Sequence, residues 1–469
     1  MNPDSLKSVY FLGIGGIGMS SLARYFARKG VTISGYDRTP TALTGQLINE
    51  GMDIHFKDDL RRIPRGIDLV IYTPAIPADH KEFQYFKQGK IPMKKRAEVL
   101  GMIASSYKTI AVAGTHGKTT TSTLIAHILR TAGINQLAFL GGISKNYDTN
   151  FLCPEEVPST AGQQKPGFQQ PVYCVVEADE YDRSFLHLHP DIAIITSADA
   201  DHLDSYRSHQ SMLESYGAFT EAIRDQGSLI MKLDIPVKKV HRHSYYHYSY
   251  ALNQEAAFFA KNIRLKKGLI HFDFIAPNET ISNLVLGIPG LFNLENAIAA
   301  LAVGYLTGIR KTHLKNALKS YQGVQRRFDF RICRRDLVYI DDYAHHPEEL
   351  RACISAAREL YPNKKLTGIF QPHLFSRTRD LASGFARSLE LLDEVLLLDI
   401  YPAREKPIRG VTSRLLLDQI KLERKKLINK DEVIRELKKD PPEVLLTLGA
   451  GDIDLLVKPV TDALNALNR

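Results

Sequence analysis

Two glycine-rich turns carry the clearest chemistry in this chain. Gly114, Thr115, His116, Gly117, Lys118, Thr119 and Thr120 follow an apolar run at 109–113 and lead into a helical pattern at 122–132. A strict phosphate-binding loop is G-x-x-x-x-G-K-[ST], and Val112 stands where its first glycine belongs. The remaining G-x-x-G-K-T keeps the working parts. Successive backbone N–H groups form an anion nest, Lys118 reaches the terminal phosphates, and the Thr119 hydroxyl ligates Mg²⁺. The expected ligand is Mg-ATP.

The second turn lies near the N-terminus. Gly13, Gly15 and Gly18, with Gly16 between them, match G-x-G-x-x-G between a strand at 9–12 and a helical pattern to Ala27. A strand at 31–36 then ends at Asp37, near the offset expected for an acid that contacts a ribose. A tight turn here brings N–H groups and a helix N-terminus onto a diphosphate. The motif alone does not distinguish NAD, FAD or a UDP-sugar.

Acids and histidines recur where strands end. A strand at 172–176 runs into Glu177, Ala178, Asp179 and Glu180, and one at 192–196 is followed by Asp201, His202 and Asp204. Ligands gather at the carboxyl ends of strands in open parallel sheets. Glu177 and His202 are therefore expected beside the Mg-phosphate cluster, the carboxylate being the more typical magnesium ligand. Strands at 337–340, 366–370, 395–398 and 444–448 deliver Asp341 to His346, Gln371 to Arg377, Asp399 to Arg404 and Gly449 to Asp452.

These sites require a scaffold of alternating strands and helices. The expected fold class is α/β with three domains. An N-terminal Rossmann-like domain spans 1–106, a central P-loop ATPase-type domain with a mostly parallel sheet spans 107–323, and a C-terminal Rossmann-like domain spans 324–469. The length of 469 residues supports more than one core. A composition with 44% hydrophobic and 24% charged residues is ordinary for a globular protein. The net charge of +9 fits anionic small substrates as well as nucleic acid, and no RNA-binding signature accompanies it. Four scattered cysteines argue against a disulfide framework or a zinc site. With no signal-peptide pattern and no apolar run of ~18 residues, the chain reads as cytoplasmic. Residues 146–171, rich in Gln, Pro, Gly and Ser, read as a surface insertion. His241, His243 and His247 read as part of a half-exposed strand.

Taken together, the loop at 114–120, Glu177-Ala-Asp-Glu, Asp201-His202, Gly290-x-x-Asn293-x-x-Asn296, Arg326-Arg327-Phe328, Asp341-Asp342-Tyr343 with His345-His346-Pro347, and Gly449-Ala-Gly-Asp452 resemble the Mur ligases of peptidoglycan synthesis. The resemblance runs through the whole chain in order and points to the alanine-adding branch. It implies an ATP-dependent ligase that joins L-alanine to UDP-N-acetylmuramate, acting as a monomer or weak homodimer without nucleic acid or membrane insertion.

The resemblance also assigns residues. Gly13, Gly15, Gly16, Gly18, Met19, Ser20, Asp37, Thr73, Ala75, Ile76, Arg96, Asp179 and Glu180 would hold the UDP-sugar. Asn293 and Asn296 would reach the adenine side, with Arg327 and Asp342 contributed by the last domain. Thr119, Glu177 and His202 would organise two Mg²⁺ ions, with Mn²⁺ as a substitute. Tyr343, His345, His373 and Arg377 would bring L-alanine. Lys118, Glu177, His202, Arg327 and His345 form the catalytic set, with His345 and His346 both open as the base. Three positions depart from the family pattern: Tyr181 replaces a common Ser, Leu374 a common Arg and Phe292 a common His. Tyr181 resembles the recycling branch that adds a tripeptide.

Overall fold

The computed structural model describes residues 5–154, 173–200, 206, 208–238, 244–403 and 405–467. It divides into two compact units. One comprises Met1–Arg264, His271–Gly287 and Glu295–Gln322. The other comprises Leu265–Ile270, Ile288–Leu294 and Gly323–Arg469.

The first unit contains a five-stranded parallel sheet. Its elements are β1 (Ser8–Leu12), α1 (Ile17–Arg28), β2 (Thr32–Tyr36), α2 (Ala42–Asn49), β3 (Asp53–His55), β4 (Leu69–Tyr72), α3 (Lys81–Gln88), β5 (Met93–Lys95) and α4 (Arg96–Ala104). The order β3-β2-β1-β4-β5 reverses direction between β1 and β4. A crevice opens at such a reversal, beyond the strand ends. Val9, Phe11 and Leu12 are fully buried, as strands covered on both faces require.

A ten-stranded sheet follows in the chain. Its elements are β6 (Lys108–Ala113), α5 (Lys118–Thr131), β7 (Gln136–Ser144), β8 (Thr149–Leu152), β9 (Tyr173–Glu177), β10 (Ile192–Ile195), α6 (His209–Glu221), β11 (Ser228–Lys232), β12 (Tyr246–Ala251), β13 (Phe258–Lys266), β14 (Leu269–Ala276) and β15 (Glu279–Leu286). The order is β15-β14-β13-β12-β11-β10-β6-β9-β7-β8. Strands from β12 through β7 pair in parallel, and β8 lies antiparallel to β7. Helices α7 (Leu291–Leu306) and α8 (Lys311–Ser320) come next. One apolar core runs from Phe11, Leu22 and Phe26 to Phe139, Phe151 and Val176, so the first sheet and this one share their packing.

The second unit is built on a six-stranded sheet. It holds β16 (Asp329–Cys333), β17 (Val338–Asp342), α9 (Pro347–Leu360), β18 (Leu366–Phe370), α10 (Phe375–Asp380), α11 (Ala382–Leu389), β19 (Glu394–Leu397), β20 (Lys425–Leu427) and β21 (Val444–Leu448). The order is β16-β17-β21-β18-β19-β20, parallel except for β16.

Two expectations need correction. Helix α5 begins at Lys118, not at 122, because Gly117 at φ +81° turns the chain straight into it. The run Thr119-Thr120-Thr121, poor in helix propensity, hides that start in the sequence. The segment read as an insertion begins with strand: residues 149–152 pair with β7 as β8, and 155–172 lie outside the described residues. In the histidine-rich stretch, His247 lies in strand β12 as expected, whereas His241 and His243 lie outside the described residues. Among the described residues, no helix is long and apolar enough to cross a membrane.

Candidate functional site

The N-terminal turn forms where β1 meets the reversal of its sheet. Gly13 has φ +89° and donates its N–H to Tyr36 O at 2.8 Å. A β-carbon there would stand 2.7 Å from Thr73 Cγ2 and 3.6 Å from Ile76 Cδ1. Gly15 donates to Asp37 Oδ2 at 2.8 Å, so the acid at the end of β2 closes the turn. A β-carbon on Gly18 would come within 2.9 Å of Arg96 Nη1, which lies against the first turn of α1. Gly16 is the N-cap of α1, and Ala75 is exposed on the loop after β4. Met19 packs into the core, while Ser20 is fully buried and bonds Ile17 O and Asn150 Nδ2.

The loop after β6 sits at the second sheet reversal. Gly114 adopts φ +132°, and a β-carbon there would fall 2.1 Å from Thr196 Oγ1 beyond β10. Thr115 Oγ1 donates to Asp199 O at 2.9 Å, and His116 N–H donates to Ser197 Oγ at 2.7 Å. Thr196 and Ser197, which the sequence pattern did not single out, therefore brace the loop. Thr119 and Thr120 are buried in the first turn of α5. Asn296 on α7 lies over Gly117, where a β-carbon would meet its Oδ1 at 2.4 Å. Asn293 donates its Nδ2 to Pro289 O at 2.6 Å.

Lys118 is held by Gly114 O at 2.6 Å and by both carboxylate oxygens of Glu180 at 2.8 and 2.9 Å. Burial pushes its ammonium downward, but Glu180, Glu177 and Asp179 outweigh that and raise it above the ordinary lysine value. Lys118 is therefore a cation at neutral pH. Glu177 ends β9 opposite Gly141, where a β-carbon would stand 2.0 Å from its Oε2. That glycine on β7 leaves the space the carboxylate occupies.

Thr119 and Glu177 offer hard oxygen ligands suited to Mg²⁺. His202 lies outside the described residues. Among the described residues, no group of three or more His, Cys, Asp or Glu side chains forms a metal cluster.

In the second unit, Asp342 at the end of β17 is buried and accepts the N–H groups of Phe328 at 2.6 Å and Ala344 at 2.7 Å. Burial raises its carboxyl to about 6, against the opposing pull of Arg327 and those N–H groups. The Arg327 guanidinium lies 4.9 Å from the Tyr343 ring centre and 3.8 Å from Glu349 Oε1. The two histidines open as the base occupy different environments. His346 is the N-cap of α9, its Nδ1 accepting from Glu348 N–H at 3.4 Å. His345 Nδ1 faces two acceptors, Tyr343 O at 3.0 Å and Glu349 Oε2 at 3.2 Å. Nδ1 therefore carries the hydrogen, and the neutral ring keeps its basic lone pair on Nε2.

The rings of Tyr343, His345, His373 and Tyr401 succeed one another at 5.2, 6.0 and 5.7 Å. Arg377 is 8% exposed and lies 3.5 Å from His373 Nδ1. Leu374 is buried at φ +70° and offers no cation. Phe292 packs edge-on against Phe328 at 6.0 Å.

Three family models match the chain in order. These are the "Mur ligase family, catalytic domain" over residues 8–108, the "Mur ligase middle domain" over 112–304 and the "Mur ligase, glutamate ligase domain" over 326–451. The chain is 45% identical to UDP-N-acetylmuramate–L-alanine ligase of Flavobacterium johnsoniae, covering 99% of each chain. It is 47% identical to the same-named protein of Porphyromonas gingivalis, over 98% of this chain and all of that one. Its fold matches the crystal structure of UDP-N-acetylmuramate–alanine ligase from Thermotoga maritima with a TM-score of 0.81 at 25% identity, covering 98% of this chain and 99% of that one. A murein peptide ligase from Psychrobacter arcticus matches with a TM-score of 0.72 at 21% identity, covering 98% of each chain.

Proposed function

We propose a reaction for this chain, which belongs to the Mur ligase family. It joins L-alanine to the lactyl carboxylate of UDP-N-acetylmuramate, using ATP, to give UDP-N-acetylmuramoyl-L-alanine, ADP and phosphate. The carrying observation is full-length identity of 45–47% to relatives bearing that activity in their names. We take 1–106, 107–323 and 324–469 as the sugar-nucleotide, ATP and amino-acid domains.

The chemistry follows from the substrates. A carboxylate resists attack by an amine, so a carboxylate oxygen first attacks the γ-phosphorus and ADP leaves. The acyl phosphate carbonyl then accepts the alanine nitrogen. The tetrahedral intermediate collapses with loss of phosphate, and the amine proton passes to a base. Positioning and charge neutralisation supply most of the acceleration in phosphoryl transfer. Lys118 would hold the transferring phosphate, and the nest at 114–117 would supply N–H donors. Thr119 and Glu177, with His202, would hold Mg²⁺, which neutralises phosphate charge when bound. The diphosphate turn, lined by Gly13, Gly15, Thr73, Ile76 and Arg96, would take the UDP moiety, with Asp37 fixing the turn. Asp179 and Glu180, which pair with Arg96 and Lys118, would contact the UDP-sugar. Met19 and Ser20, in the first turn of α1, would also contact the UDP-sugar. From the resemblance, Asn293, Asn296, Arg327 and Asp342 would also contribute to ATP binding. The attacking amine must be neutral, whereas a free α-amino group has a pKa of ~8. Nε2 of His345, its ring oriented by Glu349, is the proposed acceptor, and Tyr343, His373 and Arg377 would hold the amino acid.

The test is product analysis. Incubation with ATP, Mg²⁺, UDP-N-acetylmuramate and L-alanine should give a mass increase corresponding to one alanyl residue on the sugar nucleotide, and Lys118→Met should abolish it. An unchanged sugar nucleotide with the unaltered protein refutes the reaction.

A further inference from the structure

Helix α10 carries Arg377, and its own N-cap residue does not cap it. That residue is Leu374, which holds φ +70° and offers no side-chain acceptor. The first N–H groups of a helix need acceptors from outside the helix. At six residues, α10 is also too short to hold itself. Glu405, 29 positions further along the chain, meets both needs. Its Oε2 accepts the Ser376 N–H at 2.9 Å, and its Oε1 accepts the Ser376 hydroxyl. The helix dipole favours a carboxylate in this place.

Tyr401, a few residues before Glu405, is fixed to the same stretch of chain. Its N–H donates to Pro372 O at 2.8 Å, and its carbonyl accepts Leu374 N–H at 2.9 Å. These bonds pair it with His373 as a parallel bridge, and the two rings stack at 5.7 Å. Glu405 N–H turns back onto Pro402 O at 2.9 Å. Residues 372–376 are thus held by the backbone of Tyr401 and by the carboxylate of Glu405. Arg377 follows directly. It is 8% exposed, and its Nη1 lies 3.5 Å from His373 Nδ1. A packed guanidinium has little room to make up for a helix that tilts.

We propose that Glu405 is a positioning residue for the amino-acid site: acting through Ser376, it fixes α10 so that Arg377 meets the carboxylate of the incoming amino acid. The inference deepens the ligase reading and rests on its assignment of Tyr343, His345, His373 and Arg377 to L-alanine. Leu374 supplies no cation in this turn, so recognition of that carboxylate is sensitive to where Arg377 stands. Binding groups have to be held to within a fraction of an ångström by the contacts behind them. The role needs the reach of the Glu405 side chain and its acceptor oxygen, and no direct contact with substrate.

The experiment is steady-state phosphate release at saturating ATP, Mg²⁺ and UDP-N-acetylmuramate while L-alanine is varied, with the KM of each other substrate measured in turn. Glu405→Ala should raise the KM for L-alanine about 10-fold or more, the weight of one lost hydrogen bond to a charged group. The KM values for ATP and UDP-N-acetylmuramate should stay within about 2-fold. Glu405→Gln keeps the reach. Its Oε1 can accept the Ser376 N–H while its Nε2 donates to the hydroxyl, so it should restore most of the alanine affinity. Ser376→Ala should raise the same KM by a smaller factor and add little in the Glu405→Ala background. An unchanged alanine KM in Glu405→Ala overturns the proposal, as does an equal rise in all three KM values, which marks a general structural loss. A Gln variant as impaired as the Ala variant also overturns it, because Glu405 would then act on the substrate through its charge. If Glu405→Ala does not fold, Ser376→Ala decides: a rise confined to the alanine KM supports the role, and no rise refutes it. No alanine-dependent release by the unaltered protein refutes the reaction itself, and the positioning role falls with it.

Discussion

Oδ1 of Asn296 stands 2.4 Å from the point that a β-carbon on Gly117 would occupy. The glycine therefore meets two demands, φ +81° and close approach of a buried amide. Gly117→Ala should destabilise the protein by about 1–3 kcal/mol and raise the KM for ATP. Asn296→Ala in that background should restore part of the stability, because it removes the clash and not the strain. Thermal unfolding of the two single variants and the double variant reads both effects. A fully additive cycle would show that the two residues do not press on one another.

His345 and His346 are neighbours in different environments. His346→Ala removes an N-cap and should cost about 1 kcal/mol of stability with kcat nearly unchanged. His345→Ala should lower kcat by about 10²-fold or more with little loss of stability. Glu349→Gln should also lower kcat, since Glu349 orients that ring. Parallel urea unfolding and steady-state rates separate the two roles. The reverse assignment of rate and stability would identify His346 as the base.

Asp342 gives the fold a pH dependence of unusual sign. Burial raises its carboxyl from the ordinary 3.8 to about 6. The folded state thus binds the proton more tightly than the unfolded chain. This contribution to stability is fully present below the unfolded value and is lost as pH rises through about 6. A shift of this size corresponds to about 3 kcal/mol. Asp342→Asn should flatten the fall in unfolding free energy between pH 4 and 7, as measured by urea titration. An identical slope in the variant would place the proton elsewhere.

Asn150 joins the first two sheets of the larger unit. It is fully buried, donates to Ile17 O at 2.6 Å and Ser20 Oγ at 2.8 Å, and accepts from Arg24 Nη1 at 2.5 Å. Arg24 also pairs with Glu50 at 2.7 Å. Asn150→Ala leaves those buried groups without their amide, at a cost of about 1–3 kcal/mol for each unsatisfied group. Denaturant unfolding should show a loss of at least the lower figure, and no loss would mean that water replaces the amide at little cost.

Much of this was legible in the residues. The strand–glycine–helix pattern at β1, the loop at 114–120 and the strands 366–370 and 444–448 were read directly, because apolar runs bounded by glycine give a strong local signal. The parts that escaped depend on contacts across the chain. The resemblance gives Glu180 only to the UDP-sugar, and its hold on Lys118, 62 positions away, depends on the fold. Glu349 was missed, although its place at the third position of α9 is a capping-box signal that could have found it. Leu374 looked like a lost cation. Its N–H donates to Tyr401 O at 2.9 Å and its side chain is buried, so the position also shapes the turn before α10. Thr196 and Ser197 carried no motif of their own and matter only because β10 lies beside β6.

The central claim concerns the amine that is joined. The direct measurement is phosphate release from Mg-ATP with UDP-N-acetylmuramate, comparing L-alanine with the tripeptide L-Ala-γ-D-Glu-meso-diaminopimelate. Alanine-dependent release without response to the tripeptide is the predicted result. Release with the tripeptide and none with alanine would contradict it and make Tyr181 the residue that marks the branch.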